Sequence, residues 1–277
     1  MRTSEPLSRL RAMHTTDPEE AWRTVSAVFV PHEVTVDGAL DARLNVARSD
    51  RVTFGYLTYG AETTLEVPPL TDCYHLNLTL TGRTRVRHGR DETATHGAVG
   101  AMFSPFEPST VTWSADAAQF AIKLPRTHLE AHLSALLHDV VPRPPRFAVR
   151  VGLRGPAGRG LLAAAKFFAQ QAGAQTCVPE LQREQWESFL LTQVLLGVPN
   201  TYSRALRTIG GSAGRYAVEQ AIDYIEAHPG RPLGGAVLAS VAGTSAAALR
   251  RAFLREVGMT PAEYVRRARA ARPPRGF

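Results

Sequence analysis

The sequence predicts an α+β protein: an N-terminal antiparallel β-barrel or sandwich with flanking helices, followed by a small all-α module. Between about positions 31 and 124, apolar residues recur at every second position in short runs that are separated by Gly and Pro. After position 125, apolar residues recur at the spacing of amphipathic helices. Residues 1–200 contain 20 Lys+Arg and 20 Asp+Glu, whereas residues 201–277 contain 12 Arg and 5 Asp+Glu. The net charge of +7 therefore lies in the C-terminal part. This asymmetry indicates either a polyanion-binding module or a solvated basic face.

The first domain begins with a short helix and continues with strands. Asp17 to Val28 has an N-cap Asp, then Pro18 at the first helical position, which predicts an amphipathic helix. Along Tyr74 to Leu80, apolar residues alternate with His75, Asn77 and Thr79, which is typical of a strand. The further predicted strands are Thr84 to His88, Val99 to Phe103, Thr110 to Trp113 and Gln119 to Leu124.

Helical spacings after Pro125 complete the first domain. They predict helices at Thr127 to Leu137, Gly160 to Gln171 and Pro179 to Leu196. We therefore expect a first domain at 1–200, β-rich over about 31–124 and helical over about 125–200. The segment 201–214, which follows Pro199 and contains Gly210 and Gly211, is interpreted as a linker, and residues 215–277 as the second domain.

The second domain carries the signature of a helix-turn-helix. An amphipathic helix from Arg215 to His228 is followed by a short helix at about Ala236 to Ala242. Gly243 and Thr244 then form a tight break, after which Ser245 is a good N-cap for a helix to about Val257. Two helices joined at a steep angle by a short turn with Gly are typical of this motif. Thr260 to Glu263 is a capping box that predicts one more helix.

These residues resemble regulators of the AraC/XylS type. The resemblance to the family's first helix-turn-helix covers about 215–269, through Ala239 to Ser245, then Leu249, Arg251 and Phe253, and then Gly258 to Tyr264. Less specifically, Asp72 to Gly82, Gly97, Ser104-Pro105 and Leu124-Pro125 resemble the family's ligand-sensing, cupin-like barrel. The resemblance implies a DNA-binding transcription regulator controlled by a small molecule bound in the barrel. It also implies helices that pair subunits, and hence a homodimer.

The sequence departs from the family in several places. The family normally carries a second helix-turn-helix after a long linker helix, whereas here Pro273 and Pro274 follow the last predicted helix. Gly234 stands where a Ser or Thr cap is usual, and Ala247 where a large contact residue is common. We therefore expect a truncated regulator with weak DNA binding. The alternative is a protein that acts mainly by ligand binding or dimerisation, through the helices 160–171 and 179–196.

Two sets of candidate site residues follow. The outward face of the second helix of the motif, its N-cap and the next helix provide the candidate DNA contacts: Ser245, Ala246, Ala247, Arg250, Arg251, Arg255, Arg266 and Arg267. Among these, Arg250 and Arg251 are expected at base edges, and Arg255, Arg266 and Arg267 at phosphates. The barrel provides the candidate ligand contacts: Tyr74, His75, Asn77, Phe103 and Trp113.

A metal-dependent cupin enzyme is the weakest alternative. Its His-x-His pair is absent from the barrel, and although His128 and His132 lie at a ligand-compatible spacing, no third ligand accompanies them. No nucleophile elbow or phosphate loop is present either. We therefore expect no enzymatic activity, no cofactor and no metal. The two distant cysteines, and the lack of a long apolar run or a signal sequence, predict a cytoplasmic protein without a membrane partner.

Overall fold

A computed structural model describes residues 5–174, 178–209, 212–228 and 231–270 of the chain. They form two compact units, Met1–Ser203 and Arg204–Phe277. No single helix in these ranges is long and apolar enough to cross a membrane; one pair of short helices, bent by 85° at its break, passes such a test by length and composition only.

The first unit is built from β-strands and four helices. Its strands are β1 (Arg11–Thr15), β2 (Glu33–Asp37), β3 (Ala42–Arg48), β4 (Thr53–Thr58), β5 (Glu62–Val67), β6 (Cys73–Thr81), β7 (Thr84–His88), β8 (Asp91–Thr95), β9 (Val99–Phe103), β10 (Ser109–Trp113), β11 (Ala118–Pro125) and β12 (Arg150–Gly152). Its helices are α1 (Pro18–Val28), α2 (Arg126–Leu137), α3 (Pro156–Ala174) and α4 (Glu180–Gly197).

The strands form two antiparallel sheets. The larger sheet has the order β1-β3-β4-β11-β6-β9-β12, and the smaller sheet has the order β2-β5-β10-β7-β8. Residues from both sheets and from α1 share one buried core, which includes Leu44, Leu57, Val86, Val111 and Trp113. The predicted fold class, an antiparallel cupin-like sandwich with helices, is confirmed.

Local chemistry explains where the first helix begins. The Asp17 side chain accepts a hydrogen bond from the Glu19 backbone N–H at 2.9 Å, and Pro18 occupies the first helical position. Ala21, Val25 and Val28 are buried, so one face of the helix packs on the core. The predicted helix has the same bounds.

Helices cover the face of the larger sheet that points away from the smaller sheet. Phe168 on α3 stacks on Phe54 of β4 with ring centroids 5.0 Å apart, and Leu161 and Ala165 are fully buried on the same helix. The larger sheet therefore has a buried side on both faces. Its strand β6 is accordingly buried at six of nine positions, although its sequence alternates.

The second unit consists of short helices. They are α5 (Ser203–Ile209), α6 (Ser212–Ala227), α7 (Gly235–Val241), α8 (Ala246–Glu256) and α9 (Pro261–Ala270). Helix α5 begins at Ser203, one residue before the second unit, so the segment interpreted as a linker is largely helical. Asn200 favours the start of this helix, because its Oδ1 accepts a hydrogen bond from the Tyr202 N–H at 2.9 Å. Ala221, Leu238, Leu249 and Phe253 are among the buried residues that form its own small core.

Candidate ligand cavity and nucleic-acid interface

The first unit encloses a cavity between its two sheets and α1. Its volume is about 60 Å³. Most of its lining is apolar and comes from both sheets and the end of α1: Phe29, Leu57, Leu65, Phe103, Val111 and Ala121. Six further lining side chains carry polar atoms: His32, His75, Asn77, Ser109, Trp113 and Gln119. An apolar pocket with a few placed polar groups is typical of a small-molecule site.

Several of these polar atoms are buried without a hydrogen-bond partner among the residues that the structure describes. They are His32 Nε2, Asn77 Oδ1, Trp113 Nε1 and Gln119 Oε1. A buried polar atom without a partner costs roughly 1–3 kcal/mol. Four such atoms around one cavity indicate that the cavity is suited to a polar ligand rather than to close packing.

The histidines of the cavity are held in the neutral form. Burial lowers the pKa of His75 to about 4, against a smaller opposing effect of the Asn77 side chain, while the charge of Lys123 lowers it further. Burial also lowers the pKa of His32. His32 Nδ1 donates to the Val30 carbonyl oxygen at 2.9 Å, so its Nε2 is left as an acceptor.

Four of the five predicted ligand residues lie together. His75, Asn77, Phe103 and Trp113 all line the cavity, and His75 pairs with Phe103 across β6 and β9. Tyr74 does not, so its interpretation as a lining residue is wrong for this cavity. Its side chain is on the opposite face of β6, where its ring contacts Phe147 and its hydroxyl donates to Glu130 Oε1 at 3.3 Å.

His32, Ser109 and Gln119 also line the cavity but were not predicted as ligand residues. Ser109 carried a usable signal, because it lies an even number of residues from Trp113 on one strand. Gln119 carried none, because its pairing with Thr79 on β6 is visible only in the structure. His32 had no such signal, because it lies in the loop between α1 and β2.

The described residues contain no group of three or more His, Cys, Asp and Glu side chains that could hold a metal ion. His132 Nε2 lies 2.8 Å from Thr192 Oγ1, so it is engaged between α2 and α4. Cys73 is buried on β6, and burial raises the pKa of its thiol to about 12; Cys177 lies outside the described residues.

In the second unit, α7 and α8 form the two helices of the predicted motif. Their axes are bent by 85°. Gly243 makes the turn with φ +61, and the Thr244 N–H donates to the Ala239 carbonyl at 2.9 Å. Ser245 then caps α8, because its Oγ accepts from the Ala248 N–H at 3.2 Å. Each of these features is local, which is why the sequence predicted them.

The outward face of α8 is small at its start and cationic further along. Leu249, Ala252 and Phe253 are buried. The predicted DNA-contact residues are all exposed: Ser245, Ala246, Ala247, Arg250, Arg251, Arg255, Arg266 and Arg267. A helix with this face can lie in a major groove with its N-terminal part near the base edges.

Arg255 differs from the other arginines. Its Nε lies 2.8 Å from Glu256 Oε1, and its guanidinium approaches Gly214 at the start of α6. A phosphate contact by Arg255 therefore competes with an existing ion pair. Leu254, which the sequence analysis did not single out, is 46% exposed and lies seven residues from Ala247, on the same outward face.

The helix that follows is fixed by a reciprocal cap. The Thr260 N–H donates to Glu263 Oε2 at 2.7 Å, and the Glu263 N–H donates to Thr260 Oγ1 at 3.3 Å. The hydrogen bond from the Thr260 backbone lowers the pKa of Glu263, and the charges of Arg266 and Arg250 act in the same direction. The capping box predicted at this position is thus formed.

Residues 21–196 match the model of a known family, the AraC-binding-like domain. That range spans α1 to α4, and hence the cavity and both sheets. The chain belongs to this family.

Two groups of curated relatives match beyond this domain. A probable thc operon regulatory protein of Rhodococcus erythropolis is 28% identical over 88% of this chain and 76% of its own length. A XylDLEGF operon transcriptional activator 1 of Pseudomonas putida is 26% identical over 76% of this chain. The chain spans 63% of the length of that activator.

A solved structure shares the fold of this AraC-binding-like protein. The AraC-like transcriptional activator CuxR aligns with a TM-score of 0.51 at 17% identity, covering 94% of this chain and 93% of its own. The resemblance to AraC/XylS-type regulators, which the sequence carried in the turn after α7 and in the capping box, is confirmed.

Proposed function

We propose that this chain is a DNA-binding transcription regulator of AraC type, in which a small molecule bound in the cavity of the first unit controls the second unit. The observation that carries the proposal is the exposed cationic face of α8, placed by the Gly243 turn and the Ser245 cap in a member of this family. As a regulator of operons it would act on double-stranded DNA in the cytoplasm. It would have no enzymatic role.

Arg250 and Arg251 are the proposed base contacts. Both are exposed on α8, within two turns of its capped N-terminus, and a guanidinium can bind the O6 and N7 atoms of guanine with two hydrogen bonds. Arg266 and Arg267 on α9 are the proposed phosphate contacts. Arg255 is assigned to phosphate as well, and it would exchange its bond to Glu256 for this contact.

Fluorescence anisotropy with a labelled fragment of the promoter upstream of the gene tests this function. Arg251→Ala should weaken specific binding by about 1–3 kcal/mol and relax the base preference at one position. Arg23→Ala, an exposed arginine on α1 that pairs with Glu19 in the first unit, is the matched control and should bind as the wild type does. Absence of any binding at low salt by the wild type would contradict the proposal.

We also propose that the regulator acts as a homodimer through α3 and α4. On these helices, the side chains of Leu161, Ala165, Phe168 and Leu190 are buried within the unit and are not available for pairing. The apolar side chains that remain exposed on α3 and α4 include Phe167, Leu181 and Phe189. The ring of Phe167 contacts that of Phe189 and that of the half-buried Trp186 edge to face.

A second copy is the proposed occupant of this surface, because it would bring a second α8 onto the same particle and so raise its effective concentration at DNA. Sedimentation velocity should show a dimer for the wild type and a monomer for Phe167→Ser with Phe189→Ser. A monomeric wild type at micromolar concentration would refute the dimer.

A further inference from the structure

We propose that the cavity takes a small uncharged molecule that carries hydroxyl groups and that it discriminates against carboxylate anions. This inference rests on the proposed function, in which the cavity is the effector site. It specifies the chemistry of the effector from the atoms that the cavity presents.

The buried polar atoms of the cavity are mostly acceptors. His32 Nε2, Asn77 Oδ1 and Gln119 Oε1 can each accept a hydrogen bond, whereas Trp113 Nε1 can only donate. A hydroxyl group both donates and accepts hydrogen bonds, so a ligand with two hydroxyls can pair with the buried acceptors and with the donor Trp113 Nε1. A carboxylate only accepts, so it can pair with donors such as Trp113 Nε1 and the Ser109 hydroxyl but leaves the three acceptors unpaired and faces their lone pairs.

The lining also lacks a charge that would compensate a buried anion. Among the residues that line the cavity there is no Lys or Arg, and His32 and His75 are held neutral by burial. The neighbouring cation, Lys123, already has a partner within the protein, because its Nζ donates a hydrogen bond to the Phe29 carbonyl oxygen at 2.7 Å. An anion would therefore lose its hydration without gaining an ion pair.

A surface pocket that adjoins the cavity is acidic. His32 and Val67 line both the cavity and a surface pocket, whose other walls are Pro31, Glu33, Glu66 and Pro68. Glu33 and Glu66 are direct partners in the pairing of β2 with β5, so two exposed carboxylates lie side by side in this pocket. Their charge disfavours the approach of an anion and not that of a neutral molecule.

The size of the cavity sets how the ligand is placed. About 60 Å³ is less than the roughly 150 Å³ of a cavity that holds a benzene ring. We therefore expect the hydroxyl-bearing end of the ligand to occupy the cavity and the rest of it to extend toward the neighbouring pocket that His32 and Val67 also line.

Isothermal titration of the full chain with three single-ring probes tests the inference. Catechol carries two hydroxyls, benzoate is an anion of similar size, and toluene is apolar. We expect catechol to bind at least about tenfold more tightly than either of the others, because only catechol supplies donors to the buried acceptors. Tighter binding of benzoate or toluene, or no binding of any probe, would overturn the inference.

Variants of the two amides give an independent measurement. Asn77→Leu and Gln119→Leu remove a buried acceptor at nearly constant volume, so the midpoint of thermal unfolding without ligand should not fall. The affinity for catechol should fall about fivefold or more in each. Asn45→Leu is the matched control, since Asn45 is buried in the same sheet with an unpartnered Oδ1 but does not line the cavity.

The control should bind catechol as the wild type does, within about twofold. An equal loss in Asn45→Leu would refute the role of the cavity amides. Anisotropy on promoter DNA is measured on the same variants without probe. If the wild type does not bind promoter DNA, the proposed function is contradicted. If it binds DNA but catechol is not the tightest-bound probe, only the proposed ligand chemistry is contradicted.

Discussion

The Nδ1 atom of His88 lies 2.8 Å from Ser109 Oγ at the wall of the cavity. Nε2 of the same ring accepts from the Ser104 N–H at 3.1 Å, so the proton of the neutral imidazole is on Nδ1 and is donated to Ser109. The Ser109 hydroxyl is left with its own proton to donate. The cavity thus gains a second hydrogen-bond donor besides Trp113.

Ser109→Ala should destabilise the protein. The substitution leaves the Nδ1–H of His88 buried without an acceptor, and both residues are about 5% exposed. The expected loss in the free energy of unfolding is about 1–3 kcal/mol, measured by urea denaturation. Thr35→Ala removes an exposed hydroxyl of β2 and should change stability by less than about 0.5 kcal/mol. Equal effects of the two would show that the His88–Ser109 bond is not important for stability.

Stability should fall with pH below about 6.5 because of His75. Its pKa is about 4 in the folded protein and 6.5 in the unfolded chain, so the unfolded chain binds more protons between these values. The stabilisation is complete above pH 6.5 and is lost as the pH falls toward 4, with about 2 kcal/mol lost by pH 5.

Denaturation of wild type and His75→Gln at pH 7 and pH 5 measures this contribution. The difference between the two proteins isolates His75 from His32, His88 and His132, whose pKa values burial also lowers. His14→Gln is the control, since His14 is exposed and pairs with Asp41. A His75→Gln variant with the same pH dependence as the wild type is the contradictory result.

Gly243→Ala should destabilise the second unit by about 1 kcal/mol or more. Its φ of +61 disfavours a side chain, although no atom lies within 4 Å of the position that a Cβ would take. Gly235 has equally open surroundings and no positive φ, so Gly235→Ala should leave stability unchanged or raise it slightly. Thermal unfolding of the pair separates backbone conformation from packing; equal midpoints would argue against the strained turn.

The salt dependence of DNA binding should identify the phosphate contacts. Arg267→Ala should weaken binding across sequences and reduce the slope of log K against log salt concentration by about 1. Anisotropy titrations at several salt concentrations measure the slope. A change of base preference at constant slope would place Arg267 at a base edge instead.

The sequence predicted local structure better than it predicted orientation. The motif around Gly243, Ser245 and Thr260 was predictable because its turn and caps depend on neighbouring residues. For β6, the alternation gave the strand but not the face that points inward, since the larger sheet is covered by the smaller sheet on one side and by helices on the other. Tyr74 was misassigned for this reason.

Short edge strands and loops were also out of reach. The strands β1 and β12 lie at the two edges of the larger sheet, where few partners impose an apolar pattern. His32 reaches the cavity only because the loop after α1 returns over it, with the Trp22 Nε1–H donating to the His32 carbonyl at 2.6 Å. Such tertiary closure leaves no periodic signal in the sequence.

Protection of guanine N7 from methylation by dimethyl sulfate tests the central claim most directly, because N7 lies in the major groove. The account predicts that the full chain protects guanines in promoter DNA and that Arg250→Ala combined with Arg251→Ala removes this protection, while Arg23→Ala retains it. Unchanged protection in the double variant, or binding without any guanine protection, would contradict the placement of α8 in the major groove.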